Sequence, residues 1–160
     1  LRENTRTYLN YGELPVTGAD VSVQWVPVEA WAFEASFGYQ QPGTFRRPMA
    51  GLAPPGFNAP TRKLNVAGAW RDWLMKGSEA ELTARRVSRF EFVSSLPYLT
   101  GPVPEFTVTD VRVTVPLLQR ATARTRLSLG VRNLFDESHI EVPGGAELRR
   151  LVMFSLSAEW

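Results

Sequence analysis

Apolar and polar residues alternate with a period of two along most of this chain. In Ala19-Asp20-Val21-Ser22-Val23-Gln24-Trp25 the odd positions are apolar and the even ones polar. Beyond Pro27, Trp31, Phe33, Ala35, Phe37 and Tyr39 take one face, and Ala32, Glu34, Ser36, Gly38 and Gln40 the other. Leu64, Val66, Gly68 and Trp70 alternate with Lys63, Asn65, Ala67 and Ala69. Leu82, Ala84, Phe90 and Phe92 share a parity that Arg86 and Ser88 interrupt. Val111, Val113 and Val115 alternate with Asp110, Arg112 and Thr114, and Leu127, Leu129 and Val131 with Ser128, Gly130 and Arg132. At the end, Val152, Phe154, Leu156, Ala158 and Trp160 alternate with Met153, Ser155, Ser157 and Glu159. Successive side chains of an extended strand point to opposite faces, so each segment predicts a strand with one apolar face. The count is seven, and residues 5–11 read as the end of an eighth. A helical period fits none of these segments well. Several are about ten residues long, the length a tilted strand needs to cross a bilayer.

The connections alternate as well. Short ones fall around 27–30, 75–78 and 118–123; long ones, rich in Gly and Pro, at 41–60, 93–105 and 136–147. Short turns on one rim and long loops on the other are the arrangement of outer-membrane barrels, with the short turns on the periplasmic side. The last strand would then run inwards and finish in the periplasm. Trp25, Trp31, Trp73 and Trp160 all fall near short-turn ends or at the chain end on the same rim. Amphipathic rings at that level form a girdle at the lipid headgroups. The expected fold class is therefore all-β: antiparallel, up-and-down transmembrane β-barrel strands in a bacterial outer membrane. The predicted lipid-facing set is Val21, Val23, Phe33, Phe37, Leu64, Val66, Val113, Leu129, Val152, Phe154 and Leu156.

Composition fits this picture without demanding it. The chain is 44% hydrophobic and 21% charged, as a soluble domain would be, because an alternating barrel averages to the same values. Its net charge is +2, and the arginines stand in scattered pairs such as Arg46-Arg47, Arg85-Arg86 and Arg149-Arg150. The basic face that a nucleic-acid partner requires is missing. With no cysteine, disulfides and thiolate metal sites are excluded. The chain begins at Leu1 with no basic-then-apolar leader, which reads as the tail of a longer polypeptide.

Three stretches carry a family resemblance. Val131-Arg132-Asn133-Leu134-Phe135-Asp136 resembles the Asn-Leu-Phe-Asp motif of TonB-dependent outer-membrane receptors, which sits at the top of their penultimate strand. Asn133 and Asp136 are suited to an Asx-type turn, with Leu134 and Phe135 expected to stay in the barrel wall. The terminal ladder Val152, Phe154, Leu156, Ala158 and Trp160 resembles the aromatic-ended strand that the barrel-assembly machinery recognises, pairing with an edge and reading one apolar face. Gly18-Ala19-Asp20-Val21-Ser22-Val23-Gln24-Trp25-Val26-Pro27 is similar to a family strand in which Glu stands where this chain has Asp20. His139 stands where the family commonly has an aromatic such as Tyr, and Glu147-Leu148-Arg149 replaces a frequent Gly-Arg. The likeness covers residues 18–160. It implies that residues 1–160 are the C-terminal portion of a 22-stranded barrel with a plugged lumen. Such a barrel needs roughly 450 residues or more, so the chain holds about a third of it and lacks the plug. The parent would bind a scarce nutrient (siderophore-iron, cobalamin, haem or similar) and import it with energy delivered by the TonB system to the missing plug. Outer-membrane lipid and the assembly machinery would be its other partners.

No catalytic constellation emerges, and no enzyme activity or cofactor is expected. His139 has only Asp136, Glu137 and Glu141 near it in sequence, and a solvated loop accounts for it better than a metal site. Glu79 and Glu81 share a strand face without a cleft. Thr100-Gly101-Pro102 and Pro143-Gly144-Gly145 are turn signals. Arg46-Arg47 with Phe45 is a loop-tip pair able to meet an anionic ligand, or a plain surface pair. Two other arrangements carry the same alternation: a self-contained eight-stranded membrane barrel with a structural or adhesive role, and a soluble ligand-binding barrel of lipocalin type.

Overall fold

The alternating segments become β-strands that pair antiparallel with their sequence neighbours. The computed structural model describes residues 12–47, 56–94, 96–120 and 123–160; the strand end expected at residues 5–11 lies outside them. Its strands are β1 (Val16–Val28), β2 (Trp31–Pro42), β3 (Arg62–Arg71), β4 (Glu79–Val87), β5 (Phe90–Phe92), β6 (Gly101–Val103), β7 (Phe106–Arg120), β8 (Ala123–Arg132) and β9 (Leu151–Glu159). Seven form one sheet in the order β1-β2-β3-β4-β7-β8-β9, and β5 and β6 make a separate hairpin within the β4–β7 connection. The fold is all-β; a single 3₁₀ turn, Pro97–Leu99, is the one helical element among the described residues. The sheet is open. Among the described residues β1 and β9 are its two edges, each with one neighbour, and no pairing closes it into a barrel.

Hairpin topology sorts the connections onto two rims. Glu29 and Ala30 turn β1 into β2, and the Arg71 amide donates to the Ala30 carbonyl at 2.8 Å, tying this turn to β3. The β3–β4 turn is closed by the Asp72 amide on the Ser78 carbonyl at 2.7 Å. Inside it the buried Ser78 hydroxyl accepts from the Leu74 and Met75 amides and donates to the Met75 carbonyl at 2.7 Å. Arg120 stands opposite Ala123 at the β7–β8 connection. At the opposite rim the chain leaves β2 for β3, β4 for β7 and β8 for β9, the three long connections.

Two strands differ from their sequence reading. Phe90 and Phe92 are not part of β4. The Ser88 amide makes the last ladder bond, to the Arg62 carbonyl at 3.0 Å, while the Ser88 hydroxyl accepts from the Arg62 amide at 3.0 Å. With those groups satisfied by the strand end, Phe90–Phe92 pairs instead with Gly101–Val103. β7, read only over its valines, extends to 15 residues. It passes through Pro116 because the register shifts between Pro116 and Leu118, and a bulge is where a sheet accommodates a residue without an N–H.

Buried side chains are few. Among the described residues the buried apolar cluster is Val87, Val103, Phe106 and Val108, with Phe90 and Phe92 packed against it. It lies at the long-loop rim, on the polar face of the sheet, since Val87 opposes Phe106 and Arg85 opposes Val108 on the parity of Glu79 and Glu81. The β5–β6 hairpin supplies Val103, which is fully buried.

Candidate functional site

Register converts the one-dimensional alternation into a surface. Trp25, Phe33, Gly68, Leu82, Val111, Val131 and Val152 stand opposite one another in a single row across all seven strands. The row two residues along is Trp31, Trp70, Ala80, Val113, Leu129 and Phe154. A one-residue slip in any strand would turn that strand's apolar set to the other side; none of the six pairings shows one in these rows. The face is uncovered: Val21, Val23, Leu64, Val66, Leu82, Phe154 and Leu156 are all exposed, Phe154 to 76%. Monomeric soluble proteins rarely leave contiguous apolar patches beyond a few hundred Å² open to water, so such a face calls for an apolar neighbour.

The opposite face is polar and mixed in charge. One of its rows is Gln24, Glu34, Ala67, Thr83 and Asp110, and the next carries Ala69, Glu81, Arg112 and Gly130. Glu79, one of the two carboxylates singled out from the sequence, meets Arg71 at 3.7 Å, and Glu81 stands opposite Arg112. Hydroxyls pair across the strands, as Thr114 with Ser128 at 2.9 Å.

Aromatic rings gather at the short-turn rim. Trp31 stacks on Trp70 with centroids 4.9 Å apart and on Phe33 at 5.8 Å; Trp25 stacks on Phe33 at 5.6 Å. Trp73 lies against Trp70 at 6.2 Å. Trp160 follows Glu159, which opposes Arg124 beside the β7–β8 connection, and so ends on the same rim. Trp70, read from the sequence only as one more strand residue, turns out to join the group. Such offset contacts are worth about 0.5–1.5 kcal/mol each beyond burial.

The Asn133-Leu134-Phe135-Asp136 segment forms a built turn. Asn133 and Asp136 both take left-handed backbone, with φ of 52° and 57°, a conformation that Asn and Asp tolerate best among residues with a Cβ. The Asn133 side chain is almost fully buried: its amide donates to the Glu137 carbonyl at 2.7 Å, and its oxygen accepts from the Glu137 amide at 3.0 Å. The Asn133 backbone amide donates to the Asp110 carboxylate at 2.9 Å, anchoring the turn to β7. Asp136 is held by the Arg149 guanidinium at 2.8 and 3.2 Å and by the Arg150 amide at 2.8 Å. The Arg149 hydrogen bond, then the Arg150 amide, keep the Asp136 carboxyl below its ordinary range. Asp136 thereby ties the two ends of the β8–β9 loop together. Leu134 and Phe135 do not both stay in the strand wall. β8 ends at Arg132; the Leu134 amide still bonds the Thr109 carbonyl at 2.7 Å, but Phe135 lies in the turn with 74% of its surface exposed.

The terminal ladder occupies the sheet edge. Val152, Phe154, Leu156 and Ala158 stand opposite Val131, Leu129, Leu127 and Thr125 of β8, all on the apolar parity. Trp160 is 96% exposed.

His139 departs from the solvated-loop reading. It is buried, stacked on Phe106 at 4.6 Å, with Nδ1 3.1 Å from the Glu137 carbonyl. A backbone bridge between His139 and Leu148 presents the ring to the sheet. The Arg85 guanidinium covers the Phe106 ring at 5.4 Å and pairs with Glu141 at 2.6 Å, so the β8–β9 loop folds over the polar face. Gly144, with φ of 71°, lets that loop approach the next one; a Cβ there would lie 2.9 Å from the Tyr98 carbonyl. Of the carboxylates near His139 in sequence, Asp136 pairs with Arg149 and Glu141 with Arg85, Glu141 also lying 3.9 Å from the His139 Nε2; no three metal-ligating side chains converge among the described residues. In the Phe45-Arg46-Arg47 tip, Arg47 pairs with Glu13 at 3.2 Å. One signal for the loop-covered core was available: Phe106 and Val108 are apolar on the parity opposite to Val111, the mark of a strand covered on both faces.

No protein-family model and no curated protein matches this chain.

Proposed function

We propose that this chain supplies membrane-spanning strands of a bacterial outer-membrane β-barrel, and that it is the C-terminal part of a TonB-dependent receptor. The observation that carries the reading is the seven-strand apolar row, with polar rows on the reverse face and loops sorted short and long between two rims. The main-sheet strands are 9 to 15 residues long, enough for tilted strands that need about 9–11 to cross a bilayer. A rim of stacked tryptophans suits the headgroup level. The chain's own buried apolar cluster sits on the polar face, so it does nothing to cover the apolar one.

Among the described residues no pairing joins β9 to β1, and a seven-stranded sheet with two edges suits a segment of a larger barrel better than a self-contained eight-stranded one. Unpaired backbone groups in hydrocarbon cost several kcal/mol each, so β1 and β9 would need strand neighbours in the membrane. In that barrel the polar face lines a lumen filled by a plug, and the parent imports a scarce nutrient with TonB-transmitted energy. The Asn133–Asp136 turn then anchors the last outward loop, and the ladder ending at Trp160 serves assembly.

Two observations test this together. The full-length protein should fractionate with outer membranes and migrate differently on gels before and after boiling, as folded barrels do. The coding sequence upstream of Leu1 should encode a plug domain and further alternating strands. A protein recovered in soluble fractions without detergent would refute the membrane reading. A membrane protein whose upstream sequence held only a leader would favour the small barrel.

A further inference from the structure

We propose that the apolar face carries, at its long-loop rim, a binding site for the phosphate of an anionic membrane lipid, built on Arg62 and Arg86. The inference rests on the reading of this face as lipid-facing. Arg62 stands opposite Tyr39, and Arg86 opposite Leu64, both on the parity of Phe37 and Val66. The two arginines are thus diagonal neighbours on adjacent strands, close enough for long side chains to converge. They flank a hollow of about 370 Å³ whose floor is Phe37 and Leu64 and whose rim includes Ser88 and Glu105.

The charges do not cancel. Arg86 pairs with Glu105 at 2.6 Å, while no carboxylate among the described residues comes within salt-bridge distance of Arg62. The hollow therefore holds one unmatched guanidinium above an apolar floor. An arginine on a lipid-facing surface is costly near the midplane and tolerated near the interface, which places this rim at headgroup depth. Guanidinium groups present planar forks that match phosphate oxygens. A lipid with a phosphate monoester headgroup meets both halves of the hollow: its phosphate between the arginines, its acyl chains over Leu64 and Val66. A choline headgroup would bring a second cation to the same place. The position also accounts for the break in parity at Arg86 and Ser88, which marks the upper edge of the apolar band.

The test uses the full-length protein in phosphatidylcholine vesicles carrying spin-labelled phosphatidic acid or spin-labelled phosphatidylcholine. The motionally restricted fraction of each reports its affinity for the protein surface. One unmatched arginine predicts about fivefold preference for phosphatidic acid. The double variant Arg62→Gln, Arg86→Gln should remove the preference, and Glu105→Gln, by freeing Arg86, should raise it. Equal binding of both lipids to the wild type, or a preference untouched by these variants, would overturn the site. Should the double variant fail to insert, an unchanged preference in Glu105→Gln overturns it alone. Millimolar inorganic phosphate should leave the preference intact; displacement would show that free phosphate, not lipid, is the ligand. Absence of any restricted lipid, of either kind, would instead remove the lipid-facing reading beneath it.

Discussion

Replacing Phe154 with arginine separates a lipid-facing sheet from a water-facing one. Phe154 stands on the apolar face of β9 with Val152 towards one rim and Leu156 and Ala158 towards the other, and opposite Leu129 of β8. It is therefore near the middle of the apolar band. In a bilayer an arginine at that depth costs about 2–4 kcal/mol. In water the outcome differs, because the side chain is already 76% exposed and touches little. A surface substitution of that kind stays within about 0.5 kcal/mol. The two readings thus differ several-fold in the measured quantity. Urea titrations of the full-length protein folded in lipid vesicles give it directly. Ser155→Arg, on the reverse face opposite Ser128, is the control and should stay within about 0.5 kcal/mol. A Phe154→Arg loss no larger than that of the control would mean that this face of β9 does not meet lipid.

Asn133→Ala should destabilise by about 1–3 kcal/mol, since the Glu137 amide and carbonyl lose their buried partner; denaturant titration checks it, and a shift below about 0.5 kcal/mol would show the turn is not anchored there. Asp136 is held below the usual carboxylate range, so its contribution is fully present above the unfolded Asp value and is lost as pH falls through the lower folded value. Protection of the Arg150 amide, relative to an unstructured amide at the same pH, should persist through mildly acid pH and fall only below the ordinary Asp range, whereas in Asp136→Asn it should be low throughout; equal protection in both proteins would contradict the clamp. Deleting Trp160 should leave synthesis and export intact yet sharply lower the heat-modifiable form in outer-membrane fractions, with Trp160→Phe restoring it and Glu159→Gln doing little. An unchanged outer-membrane level after the deletion would remove the terminal strand as an assembly signal.

The sheet was legible because its face is decided locally: alternation at Val111, Val113 and Val115 says how that strand must sit whatever lies beside it. The rows across strands follow once each hairpin is in register, and the short turns leave little freedom there. Tertiary cover was harder to read. Val87 and Phe106 look misplaced until the β5–β6 hairpin and the β8–β9 loop are seen to lie over them. His139 looked solvated because nothing local marks a ring that a bridge to Leu148 turns onto Phe106. In the motif, the Asx geometry of Asn133 was foreseeable from its side chain, but the partner of Asp136 was not. Arg149 stands on the far side of the loop, and only the loop's path brings them together. Phe135 illustrates the limit of parity, which stops at Arg132 where the backbone turns left-handed.

If alternate residues of one strand meet lipid and lumen in turn, single cysteines will report it; residues 1–160 contain none, so only cysteines elsewhere in the full-length protein need replacing first. Single cysteines placed from Lys63 to Trp70 along β3, labelled with an environment-sensitive fluorophore, can be read in the folded full-length protein with brominated lipids as quencher. A lipid-facing even parity gives a period of two: strong quenching at Leu64, Val66, Gly68 and Trp70, weak quenching at Lys63, Asn65, Ala67 and Ala69. Uniform quenching along the strand, or none at any position, would contradict it.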